Sequence, residues 1–280
     1  MKIILAPDKF KGSLTGIEFC DIIEAVIKQI IPSSEILRLP LADGGDGTID
    51  VINYYLEGER IYTTVNNPYF QPITASYLFS KPTKTAFIEM AEASGLKLLD
   101  SSELNCKNTT TLGTGELIMD AIKNGAQQII LGIGGSATND CGIGMASALG
   151  YTFYDKDFET LLPIGKNLSS IQYIDNTNIY SKLKNISIKV AIDVTSPLYG
   201  KNGAAYVYAK QKGASLEDIK MLDKGLRHFS KIVDNHFNIT SNTIKGGGAA
   251  GGMGVGAIAF LKATPIPGID LIKELANFDI

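Results

Sequence analysis

Four strand-like runs in this 280-residue chain end the same way, and that recurrence limits the folds open to it. KIILA leads to Pro7-Asp8, and EILRLPLA to Asp43-Gly44-Gly45-Asp46. QQIILGI leads to the turn GGSATN and Asp140, and SIKVAI to Asp193-Val194-Thr195. Apolar strands that stop at an aspartate beside small residues, with helical patterns between them, are the mark of a parallel or mostly parallel sheet. The carboxyl ends of such strands form a ligand crevice where the strand order reverses.

Strand patterns at 2–6 and 35–40 enclose a helix opened by the capping-box pair Thr15 and Glu18. That helix carries Ile22, Ile23, Val26, Ile27 and Ile30 as its apolar residues, and a glycine-rich turn opens another at 48–56. Patterns at 60–65, 73–79 and 85–90 follow one another without a helix, which predicts a meander. Alternation resumes with a helix at 115–124, a strand at 127–133, a helix at 141–149 and a strand at 151–155. Residues 162–185 show no clear period. A strand at 187–193, a long helix from Ser215 to about residue 237, a Gly/Ala-rich helix at 246–256 and a last helix at 268–276 complete the reading. The fold class expected is α/β and two-lobed. A mostly parallel, Rossmann-like sheet lobe (1–64) and a second, mixed α/β lobe (65–245) are separated by a cleft. Residues 246–280 return toward the first lobe.

A net charge of −3 offers no basic surface for nucleic acid or an anionic membrane. Cys20, Cys106 and Cys141 are odd in number and include no C-x-x-C pair, which argues against a disulfide framework or a zinc site. No run of 18 uncharged apolar residues occurs, so a soluble cytoplasmic protein is expected.

Aspartates, glycine loops and helix starts gathered in one crevice suit a phosphate and Mg²⁺ site. Glycines let backbone N–H groups approach phosphate oxygens, and carboxylates are hard ligands for Mg²⁺. An aspartate at a strand end is also a common N-cap, so each one singly has a second reading. Asp8, Asp43 and Asp193 are the candidates for general base or metal ligand, and Lys9 and Lys11 would offset charge on a transferred group. Gly44 and Gly45 lie in one anion-binding loop, with Asp46 beside them as a metal ligand. In the other loop Gly134, Gly135, Ser136 and Thr138 would present donors, while Asn139 and Asp140 would orient Mg²⁺ or the acceptor. A competing pattern is G-x-G-x-x-A, Gly132 to Ala137, with Asp155 about 20 residues on to take a ribose hydroxyl. It predicts a dinucleotide-binding protein, but an aspartate in the first helical turn would repel a pyrophosphate.

Taken together, the motifs resemble bacterial glycerate kinase of the type I family. They are APDKFKGSL, LADGGDGT, IEMAEASGL, TTTLGTGELI, GIGGSATND, DVTSPLYGKNGA, QKGA and GGGAAGGMG, in the family's order across almost the whole chain. The resemblance implies ATP- and Mg²⁺-dependent phosphorylation of D-glycerate, usually to 2-phosphoglycerate, in a cleft between two lobes. Ser13, Lys212, Gly247 and Gly248, inside the matching motifs, are assigned to substrate or ATP binding. The family normally continues into a further segment with a T-G-E-G-R-x-D motif. The alternative reading is therefore an inactive or split subunit with an exposed apolar strand edge, partnered by a C-terminal fragment or by a second copy.

Overall fold

The computed structural model describes residues 1–8, 10, 13–41 and 48–276. The expectations for Lys9, Lys11, Asp43, Gly44, Gly45 and Asp46 fall outside the described residues.

β1 (Lys2–Leu5) and β2 (Glu35–Arg38) pair in parallel, with α1 (Gly16–Ile30) as the crossover. The Thr15–Glu18 capping box forms as read: Thr15 Oγ1 accepts from the Glu18 amide at 3.1 Å, and the Glu18 carboxylate accepts from the Thr15 amide at 2.8 Å. Arg38 bridges from β2 to Asp21 and Glu24 of α1.

α2 (Thr48–Leu56) leads into a larger unit. The meander is β3 (Glu59–Asn66), β4 (Pro72–Ser80) and β5 (Thr85–Glu89), followed by α3 (Ala91–Ser94) and α4 (Leu112–Lys123). β6 (Gln128–Gly132), α5 (Ile143–Ala148), β7 (Thr152–Tyr154), β8 (Tyr173–Asp175) and β9 (Ser187–Ala191) come next. α6 (Ala204–Tyr208), α7 (Leu216–Phe237), α8 (Ala249–Leu261), β10 (Thr264–Ile266) and α9 (Gly268–Leu275) complete the described chain. Among the described residues, no helix is long and apolar enough to cross a membrane.

The main sheet runs β10-β9-β6-β5-β4-β3. Its β3–β4–β5 half is antiparallel, as the absence of helices predicted, and its β5–β6–β9–β10 half is parallel. Period-two alternation sends Ile88, Ile129 and Leu131 into a core under α4, α5, α7 and α8. Their neighbours Phe87 and Ile130 go to the opposite face, under Ile49 and Ile52 of α2 and Leu271 and Ile272 of α9. Burial on both faces explains why these strands read as unbroken apolar runs. The register sets Glu89, Gly132, Ala191 and Ile266 side by side, so four parallel strands end level.

This topology moves the expected boundaries. A division at 64/65 would cut β3, which pairs with β4 along its whole length, and α2 packs on the large sheet. Residues 246–276 do not stand apart either: α8 is buried in the main core and β10 is the edge of the main sheet. The strand pattern at 151–155 also has another partner than alternation suggested. β7 pairs antiparallel with β8 in a separate two-stranded sheet.

Candidate functional site

Above the level strand ends lies a cleft of about 220 Å³. Its wall contains Gly134, Gly135 and Ser136 after β6, Asp193 after β9, and Tyr208 and Lys212 from α6 and the turn that follows it. Across Gly134 and Gly135 it adjoins a smaller depression of about 50 Å³ that includes Glu89, Lys97 and Gly268. Two distant motifs, GIGGSATND and QKGA, therefore meet at one place.

The loop after β6 is shaped for an anion. Gly135 sits at φ +70°, which turns the chain without a Cβ penalty. The carbonyl of Gly135 accepts from Leu96 and the amide of Ala137 donates to Ser94, so the loop is pinned on both sides. The amides of Gly134, Gly135 and Ser136 have no acceptor among the described residues. Successive unpaired amides in a turn form a concavity that binds phosphate oxygens.

Lys212 closes the back of the cleft. It is 2% exposed, and its ammonium donates to Ser136 Oγ at 2.6 Å and to the Thr138 carbonyl at 2.7 Å. Burial pushes its pKa down to about 8; Cys106 and Asp140 nearby act in the opposite sense. Asp193 is held at the mouth, its Oδ1 accepting from the Gly268 amide at 2.7 Å at the start of α9. No hydrogen bond occupies its Oδ2 among the described residues.

Asp140 departs from the expectation of a metal ligand. It is fully buried, and its carboxylate accepts from the Thr111 amide and hydroxyl, each at 2.8 Å, and from the Gly142 and Gly144 amides, each at 3.2 Å. Burial pushes its carboxyl up, and these donors oppose the shift. Its work is to clamp the loop onto the Thr109–Thr111 stretch, where Thr109 Oγ1 also donates to the Ala137 carbonyl. Thr138 and Asn139 are likewise completely buried and form no part of the cleft wall. Asn139 keeps both side-chain polar atoms without a partner.

Gly247 and Gly248 also depart from the expected phosphate contact. Their amides are committed to Ile244 and Ser196 carbonyls, so neither is available to a ligand. The glycine-rich segment supports the loop from beneath. Gly251, at φ +72°, accepts from the Cys141 amide, and a Cβ on it would stand 2.2 Å from the Thr138 carbonyl oxygen. Ala249 and Ala250 are what this segment contributes to the cleft.

Asp8 and Ser13 are exposed beyond β1, and the structure does not bring them to either depression. The G-x-G-x-x-A reading fails on topology: β6 lies between β5 and β9, whereas Asp155 follows β7 in another sheet and accepts from Asp157 and Glu159. Sequence reasoning missed Tyr208, Glu89 and Leu96 as wall residues. Glu89 carried a signal, since it ends an apolar strand as the four aspartates do.

The comparisons with known proteins agree with one another. The chain matches the glycerate kinase family over residues 3–280. It is 45% identical over 279 residues to a glycerate kinase of Bacillus cereus, covering 100% of this chain and 73% of that protein. It is 40% identical over 279 residues to the glycerate 2-kinase of Escherichia coli, again covering 100% and 73%. A crystal structure of a candidate glycerate kinase 2 from Salmonella typhimurium LT2 superposes with a TM-score of 0.93 at 39% identity, covering 99% of this chain and 74% of that one.

Proposed function

Because this chain belongs to the glycerate kinase family, we propose that it transfers the γ-phosphoryl group of ATP to D-glycerate, giving 2-phosphoglycerate. The observation that carries the reading is the row of unpaired amides at Gly134, Gly135 and Ser136 above four level strand ends, with Lys212 behind it. Phosphoryl transfer asks a protein for positioning and charge neutralisation more than for covalent chemistry, and these groups supply both.

In the step itself, the glycerate hydroxyl oxygen bonds to the γ-phosphorus, the bond to the β,γ-bridging oxygen breaks, and ADP leaves. The hydroxyl proton passes to Asp193, whose Oδ1 is held by Gly268 and whose Oδ2 is open. Amides of the 134–136 turn receive the phosphoryl oxygens. Among the described residues, no group of three or more His, Cys, Asp or Glu could hold a metal. A Mg²⁺ ion carried on the nucleotide phosphates would need only one or two protein carboxylates. Glu89, in the adjoining depression, is the carboxylate we assign to it. When bound, the ion neutralises charge on the phosphates. Asp8, Lys9, Lys11 and Asp43 are proposed as catalytic groups and Asp46 as a metal ligand on the strength of the motifs that contain them.

The test is phosphorus NMR of the 280-residue chain with Mg-ATP, with and without D-glycerate. A glycerate-dependent phosphomonoester signal, with the coupling of a C2 ester, is the expected result. A folded, monodisperse chain that yields none would refute the reading for this chain alone. One observation favours the split-subunit alternative: Ile22, Val26 and Ile30 of α1 are 50%, 44% and 74% exposed. That apolar stripe is one a further polypeptide segment would cover. Adding such a segment in trans to a silent chain would then restore the signal.

A further inference from the structure

Among the described residues that line the 220 Å³ cleft, Lys212 is the single cation and Asp193 the single anion. An ammonium has three donors, and Lys212 uses two, on Ser136 and Thr138. No carboxylate among the described residues lies within ion-pair distance of it, so among them its buried positive charge has hydrogen-bond acceptors but no ion-pair partner. Burying an unpaired charge is costly, and a chain that does so at the back of a cleft has an anion to bind there. Drug-sized ligands fill clefts of roughly 300–1,000 Å³, so this one suits a smaller molecule than a nucleotide.

We propose that Lys212 determines acceptor specificity: its third donor receives the carboxylate of a short hydroxy acid, while the acid's hydroxyls face the Gly134–Gly135 turn. This rests on the kinase reading above and assigns the two ends of the acceptor within the cleft. A single cation matches the single charge of a carboxylate, whereas the transferred phosphoryl group meets the amide row instead. Neutral hydroxy compounds of the same size are rejected because they leave the ammonium unpaired.

The groups facing Lys212 set its pH behaviour. Cys106 approaches from the loop before α4, its thiol itself pushed up to about 11 by burial. Asp140 lies behind the loop after β6, and both favour the charged lysine. Tyr208 shares a hydrogen bond with Ser196, and Asp193 stands on the same cleft wall. Burial outweighs these influences and places the ammonium's pKa near 8 in the free protein. Carboxylate affinity is therefore level below about pH 8 and falls above it, roughly tenfold per unit, as the lysine loses its proton.

The experiment measures D-glycerate binding by calorimetry from pH 6.5 to 9.5. It also measures kcat and KM for D-glycerate, D-glyceramide and ATP, in wild type, Lys212→Met and Lys212→Arg. Lys212→Met is expected to weaken D-glycerate binding about 100-fold, leave KM for ATP within about threefold, remove the preference for glycerate over its amide, and flatten the pH dependence. If Lys212→Met does not fold, Ser136→Ala, which removes one acceptor from the ammonium, is expected to shift the pH midpoint while preserving the preference. A raised KM for ATP with unchanged glycerate binding, or wild-type binding level across pH 8, overturns the inference and leaves the kinase reading intact. A wild-type chain that neither binds nor phosphorylates D-glycerate overturns the kinase reading itself.

Discussion

The β1–α1–β2 unit and the six-stranded unit are both built by alternating strands and helices, yet they treat their apolar residues differently. In the large unit Ile88, Ile129, Leu131 and Val190 are completely buried, with helices on both faces of the sheet. In the small unit Ile4 is 49% exposed and Ile30 is 74% exposed. The five aliphatic residues named for α1 divide in two. Ile23 and Ile27 are half-buried on the face that also carries the buried Cys20, at i, i+3 and i+7 counted from Cys20, whereas Ile22, Val26 and Ile30, at i, i+4 and i+8, form the exposed stripe. Periodicity tells which residues share a face, and only a partner element decides whether that face is buried.

Substitutions can break this contrast or sharpen it. The largest effect is expected at Asp140: Asp140→Ala leaves four buried donors without their acceptor and should cost about 4 kcal/mol in urea unfolding. A loss below about 1 kcal/mol would mean that the carboxylate does not clamp the loop. Next comes Ile88→Ala, which opens a cavity in the two-sided sheet and should cost about 3 kcal/mol. Lys212→Met removes a buried charge and should stabilise the chain at pH 7 by about 2 kcal/mol.

The sign of that last effect follows from linkage. The folded-state pKa of about 8 lies below the lysine's ordinary 10.5, so the folded chain carries fewer protons than the unfolded one between those values. Wild-type stability should therefore rise relative to Lys212→Met as pH increases from about 8 to 10.5, and the advantage of the variant should shrink over that window. Parallel thermal melts at pH 7 and pH 10 would show it. The smallest effect is expected in the small unit. Ile30→Ala should change stability by less than about 0.5 kcal/mol, while lowering dye binding at the exposed stripe. A cost at Ile30 as large as at Ile88 would erase the distinction between the two units.

Part of the candidate cleft's lining was legible before any coordinates. The GGS turn, Asp193 and Lys212 were named from strand ends and motif matches, and all line one cleft. Asp140, Gly247 and Gly248 were assigned to ligands on the same grounds, but the protein itself occupies them. Nothing local separates Gly135, whose amide is open, from Gly248, whose amide is bonded to Ser196. Asp155 stood at the right distance for a dinucleotide site, and pairing with β8 rather than with the main sheet removed it.

Strand periods, the order of eight motifs and the α/β class were written in the sequence, because each depends on residues within a few positions of one another. Which amides stay open, which aspartate clamps a loop and which lysine is buried with no ion-pair partner among the described residues were decided by tertiary structure. The physical reason is that a polar group's availability depends on whether a distant segment arrives to satisfy it. Thr111 reaches Asp140 across 29 positions and Lys212 reaches Ser136 across 76, distances over which no local pattern carries information.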